Sequence, residues 1–188
     1  MKNFFFFFFS PLEVALDFAD KKIPVFPCGY NQNDGENKGN FSPLCKFGFK
    51  AATINKEEIS HWWTTFPTAL IGISTGTTSG ILALEVKKDS SFSAKTACFS
   101  TTFDEKVYLF KYPAAGEKPT YGRIEEGVFY GEESCIVVPP ANFAYKRVED
   151  KEIFGEYEIL QDEELAEVPA DLLEKMVAVA TVEKITKQ

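Results

Sequence analysis

The chain has 188 residues, a mass of 21.1 kDa and a formal net charge of −8, with 45% hydrophobic and 26% charged residues. This composition excludes intrinsic disorder over most of the length and suits one globular domain, large enough to bury roughly 70% of its unfolded surface without disulfides or a structural metal. A pI of about 4.8 argues against strong non-specific nucleic-acid binding, which draws on Lys and Arg displacing counterions from phosphates.

The acidity is unevenly placed. Residues 1–149 carry 16 basic and 17 acidic side chains, whereas 150–188 carry 4 and 11. No apolar run approaches the ~20 residues of a membrane span. The longest, the phenylalanine run 4–9, is also too short for a signal-peptide core. Cys28, Cys45, Cys98 and Cys135 form no CxxC, and His61 is the single histidine, which speaks against a zinc site and a disulfide framework. With no export signal, the cysteines read as reduced thiols of a cytoplasmic protein with no membrane partner.

In chain order, residues 1–10 read as a frayed, Phe-rich terminus. Ser10 then caps a helix over 11–20 with Pro11 at its first position, Glu13 in its first turn and Leu12, Ala15, Leu16 and Ala19 at helical spacing. Residues 23–27 form a short buried strand. Residues 30–40 are nearly all turn formers and predict an exposed, mobile loop. Asn55 caps a second helix with the stripe Ile59, Trp62, Trp63 and Phe66, ended by Pro67. The strands expected at 70–74 and 81–86 are joined by TGTTSG, spacing that predicts a hairpin. Further strands are expected at 107–111 and 136–138, the latter stopped by Pro139-Pro140, with one or two edge strands in 145–160. Pro169 opens a last helix with Leu172, Leu173 and Met176 on one face. Between Lys87 and Arg123, seven basic residues stand against four acidic ones, a local excess compatible with a phosphate-binding face or with solvated lysines.

Seven segments, in this order, carry a resemblance. ALDFADKKIPVFP, GFKAAT, ISHWWTTFP, IGISTGTTSGILALEV, CIVVPP, EYEIL and VPADLLEKM resemble the successive motifs of the N-terminal domain of bifunctional DNA primase-polymerases, a branch of the archaeo-eukaryotic primase superfamily. The resemblance runs from about Leu12 to Met176. It implies an α+β fold with an RRM-like antiparallel sheet flanked by helices, occupying 11–160, with 161–188 as an acidic C-terminal helix packing on or trailing it. It also implies a role in DNA replication, with nucleotides or single-stranded or primed DNA as ligands and a helicase or other replication protein as partner. The chain has no P-loop, so ATP-driven unwinding would come from elsewhere.

The same resemblance exposes departures at the catalytic positions. The family places D-x-D on a strand, where a spacing of two puts both carboxylates on one face to share Mg or Mn ions. Here those positions hold Glu85 and Lys87. The family's basic residue and histidine correspond to Lys106 and Val107, and its third acid corresponds to Phe129. An ordinary nucleotidyl-transfer site is therefore not expected, and Glu85 remains as the one candidate metal ligand.

Three readings follow. In the first, the degenerate domain still binds a nucleotide or nucleic acid through Lys87, Lys106 and Arg123, helped by Lys38 and Lys50, with a buried Lys87 ammonium standing where a metal stood. The bland alternative is that Lys87 only neutralises Glu85. In the second, the fold is a scaffold for a protein-interaction module or a mobile element's replication accessory, using the acidic tail and the phenylalanine run. In the third, a rearranged metal site on Glu85, Asp89, Glu132 and Glu133 keeps the enzyme active.

Overall fold

The cap chemistry of the first helix is complete within four residues. The Glu13 amide donates to the Ser10 hydroxyl, the Ser10 amide donates back to the Glu13 carboxylate at 2.7 Å, and Pro11 occupies the first turn, where no amide donor is needed. The computed structural model describes residues 10–31, 40–116, 118–148 and 151–186. The phenylalanine run 4–9 and most of the 30–40 loop, Lys38 included, lie outside the described residues.

In chain order the elements are α1 (Pro11–Asp20), β1 (Val25–Asn31), β2 (Asn40–Pro43), α2 (Lys56–Thr65), β3 (Leu70–Ser74), β4 (Ile81–Lys87), β5 (Cys98–Ser100), β6 (Glu105–Lys111), β7 (Tyr121–Arg123), β8 (Val128–Tyr130), β9 (Cys135–Val138), β10 (Asn142–Val148), β11 (Lys151–Glu156), β12 (Glu158–Gln161), β13 (Ala166–Glu167) and α3 (Ala170–Thr186). With three helices among the described residues and mostly antiparallel sheets, the fold is α+β. No described helix is long and apolar enough to cross a membrane. The chain divides into two compact units, one from 1–74 and 137–158, the other from 75–136 and 159–188.

The first unit is a four-stranded sheet in the order β2-β1-β3-β9, with β1 antiparallel to both β2 and β3. Both helices pack against β1. Val14, Ala15 and Ala19 of α1 and Ile59 and Trp63 of α2 are buried with Val25, Phe26, Ile71 and Ile73 of the sheet. Leu12 and Leu16 are only half-buried, so α1 is rotated slightly from the stripe read in the sequence, toward Val14. Trp63 anchors its helix by donating its indole N–H to the Ala69 carbonyl at 3.1 Å, while Trp62 is half-buried and His61 exposed. Gly72 faces Phe26 across the ladder, and a Cβ there would lie 2.5 Å from the Phe26 ring. β1 pairs antiparallel with β2, and β10 and β11 form a separate antiparallel pair.

The second unit is a seven-stranded sheet in the order β12-β5-β6-β4-β8-β7, with β13 added parallel to β6. Leu82, Leu84 and Val86 of β4 share one face with Tyr108, Phe110 and Phe129, and Leu172 and Met176 of α3 are buried against them. Lys175 of α3 pairs with Glu126 in the β7–β8 turn. This holds the Glu126 carboxyl below its ordinary range.

The hairpin expected of 70–74 and 81–86 does not form. β3 pairs with β1, and β4 pairs with β6 and β8. Both strands are interior and buried, all of β3 and the first four residues of β4, and each has its two neighbours from elsewhere in the chain, β1 and β9 for β3, β6 and β8 for β4. The intervening turn instead closes on itself. The Gly80 amide donates to the Gly76 carbonyl at 2.9 Å, and both glycines hold positive φ, +91° at Gly76 and +71° at Gly80.

Candidate functional site

Parity along β4 decides what surrounds Glu85. Residues directly opposite one another in an antiparallel ladder share a face, and Glu85 stands opposite Val107 of β6 and Val128 of β8. Its face therefore also carries Ala83 and Lys87 of β4, Glu105 and Leu109 of β6, Tyr130 of β8, and Tyr121 and Arg123 of β7. The opposite face is the apolar one covered by α3.

Glu85 is half-buried. The Tyr130 hydroxyl donates to its Oε2 at 3.4 Å. Burial, and then the charge of Glu85, pushes the Tyr130 phenol far above its ordinary value, so it stays protonated as a donor. The Tyr121 and Tyr130 rings meet edge to face with centroids 5.6 Å apart, and Tyr121 is exposed at the sheet edge. Neither tyrosine is among the residues that the sequence singled out. The available signal was the period of two, which sets Tyr130 on the same side as Val128.

The structure brings some of the sequence candidates together and separates others. Lys87 lies on the Glu85 face, about 7 Å along the strand, but it is exposed and stands opposite Glu105. The buried ammonium expected there is thus corrected to a solvent-facing one, because Lys87 is the last residue of β4. Arg123 is exposed on the same face, two strands from Glu85 through Val128, about 10 Å away at ordinary strand spacing. Lys106 is a second correction. It lies opposite Val86, on the α3 face, beside the Cys98 thiol. Burial raises that thiol to about 11, with the Lys106 charge acting against the rise.

Val107 is 3% exposed and fills the position directly beside Glu85 with an apolar side chain. Phe129 is fully buried on the far face among Leu84 and Met176. A side chain at position 129 points away from Glu85 in this register. Lys50 is exposed in the 3-10 turn Gly48–Ala51 of the first unit.

The acids of the rearranged-metal reading are not gathered. β4 ends at Lys87 and Asp89 follows in an exposed turn. Glu132 accepts from the Thr77 amide at 3.1 Å and from the Thr77 hydroxyl at 2.6 Å, while Lys118 donates to that hydroxyl at 3.0 Å. Burial works to raise the Glu132 carboxyl. The Thr77 bonds, a bond from Tyr112 and the Lys118 charge outweigh it and hold the carboxyl below its ordinary value. Glu133 is exposed. No group of three or more His, Cys, Asp and Glu that could hold a metal occurs among the described residues. A pair of catalytic metal ions needs shared carboxylates. Glu85 and Glu105 share this face but stand on neighbouring strands two positions out of register, with Lys87 opposite Glu105 and the Thr101 hydroxyl donating to Glu105 at 3.0 Å, so the residues present do not fit the metals the fold implies.

Sheet and site together define a class: an α+β domain whose antiparallel sheet is backed by a helix on one face and carries an acidic, tyrosine-lined strand cluster on the other. The family model of the bifunctional DNA primase/polymerase N-terminal domain matches residues 15–171. The chain belongs to that family, and so to the primase/polymerase-type replication proteins. A search of curated proteins gave no match.

Proposed function

We propose that the domain is a catalytically degenerate primase-polymerase module that binds a nucleotide or nucleic acid without transferring it. The observation that carries this reading is the replacement of the second carboxylate by Lys87 on the Glu85 face, with Arg123 exposed on the same face. An ammonium and a guanidinium bind phosphate oxygens by charge-assisted hydrogen bonds and need no divalent ion. The apolar Val107 beside Glu85 and the buried Phe129 leave nucleotidyl transfer without its histidine and third acid. Lys106, on the α3 face, is not part of this site.

The test is calorimetric titration of a deoxynucleoside triphosphate into Lys87→Ala, Arg123→Ala and Lys106→Ala. The first two lose about tenfold in affinity, consistent with one charge-assisted contact each, while Lys106→Ala retains it. Equal affinity in all three removes the site. Failure of the unaltered chain to bind any nucleotide would instead favour the protein-interaction scaffold.

A further inference from the structure

Phe47 is held where folding gives no reason to hold it. Its side chain is 74% exposed, the most exposed of the large hydrophobic residues among the described ones, and its backbone sits at φ +71°. A bulky residue in the left-handed region is a steric outlier that glycine or asparagine would relieve, and burial offers no compensation here. Gly48 follows at φ +61°, its amide donating to the Cys45 carbonyl at 3.3 Å, so the turn aims the ring outward. The Lys46 ammonium lies 5.0 Å from the Phe47 ring centroid, within cation–π range.

The surrounding charge identifies the occupant. From Asn40 to Lys56 the sequence has Lys46, Lys50 and Lys56 and no carboxylate; the Glu58 charge reaches the turn at the Cys45 thiol, one acid against the two lysines of the turn itself. Lys56 is paired with Asp20 at 2.6 Å, while Lys46 and Lys50, one residue before Phe47 and three after it, are exposed. An exposed aromatic flanked in sequence by two cations matches a single-stranded nucleic acid, whose unpaired bases offer a free π-face while its phosphates meet the lysines. An apolar protein surface would leave both lysines without counter-charges.

We infer that the Cys45–Lys50 turn is a contact for single-stranded nucleic acid, in which one base stacks on Phe47 and Lys46 and Lys50 engage the adjoining phosphates. This rests on the nucleic-acid form of the proposed function and adds a second contact, in the first unit.

The test is fluorescence anisotropy of the full chain with a labelled oligothymidylate of about 15 nucleotides, near the upper site size of single-strand binding domains. Phe47→Ala and Phe47→Gly weaken binding about tenfold, the order expected for one lost base stack, and Phe47→Trp retains it. Phe47→Gly also raises the thermal midpoint by about 2–4 °C as the left-handed strain is released. A ring with a purely structural role would lower both readings together. Deoxynucleoside triphosphate affinity is unchanged in all three variants, which separates this contact from the Lys87 and Arg123 site. Oligonucleotide affinity within twofold of the unaltered chain in Phe47→Ala and Phe47→Gly, or no oligonucleotide binding by the unaltered chain, overturns the inference.

Discussion

Gly127→Ala should open the sheet at Glu85. Gly127 immediately precedes β8, and a Cβ on it would lie 2.0 Å from the Glu85 carbonyl oxygen and 2.9 Å from its carbon, both backbone atoms. Carbon–oxygen contacts between strands settle near 3.3 Å, so β8 must retreat from β4 by about 1.3 Å. Ladder hydrogen bonds of about 2.9 Å do not survive such a shift. Losing one or two at the Glu85–Val128 pairing, at about 1–3 kcal/mol for each buried group left unpaired, predicts about 3 kcal/mol of destabilisation. For a chain of this size that lowers the thermal midpoint by about 6–12 °C. The control is Gly80→Ala, where no atom lies within 4 Å of the new Cβ and only the positive φ is penalised, at about 1–2 kcal/mol. Differential scanning calorimetry compares the two. A Gly127→Ala midpoint that falls no further than that of Gly80→Ala would refute the close β4–β8 approach and the register built on it.

Three other outcomes are expected. Lys87→Asp adds a carboxylate two residues from Glu85 on the same strand, on the face that also carries Glu105, and should make nucleotide binding metal-dependent, read by titration with and without manganese; primer extension stays absent because Val107 and Phe129 are unchanged. Glu132 has a folded pKa below its unfolded one, so its contribution to stability is fully present above about pH 4.5 and is lost as pH falls through the folded value. Glu132→Gln should therefore flatten the acid limb of the stability curve, and an unchanged limb in urea melts counts against the Thr77 contact. Tyr130→Phe removes a weak bond to Glu85 and should cost about 1 kcal/mol or less, measured by urea unfolding.

Local structure was legible where single residues determine it. Ser10, Pro11 and Glu13 fix the start of α1, Asn55 that of α2, and each cap is formed as the residue types require. Facing was not legible along β6, because Val107, Tyr108, Leu109 and Phe110 are all apolar and leave no alternation to show which way Lys106 points. The same holds for Phe129 between Val128 and Tyr130. Parity there comes from pairing with β4, a long-range choice absent from any local window. The missing hairpin has a similar origin. TGTTSG has hairpin turn chemistry, but Leu70–Ser74 takes its neighbours from β1 and β9 and Ile81–Lys87 from β6 and β8, long-range pairings that the turn residues do not encode.

The central claim is that phosphates are bound here by cations in place of metal. It is tested most directly by titrating a deoxynucleoside triphosphate into the unaltered protein twice, once with magnesium and once with chelator. The account predicts the same affinity in both. Binding that appears only with the metal would contradict it.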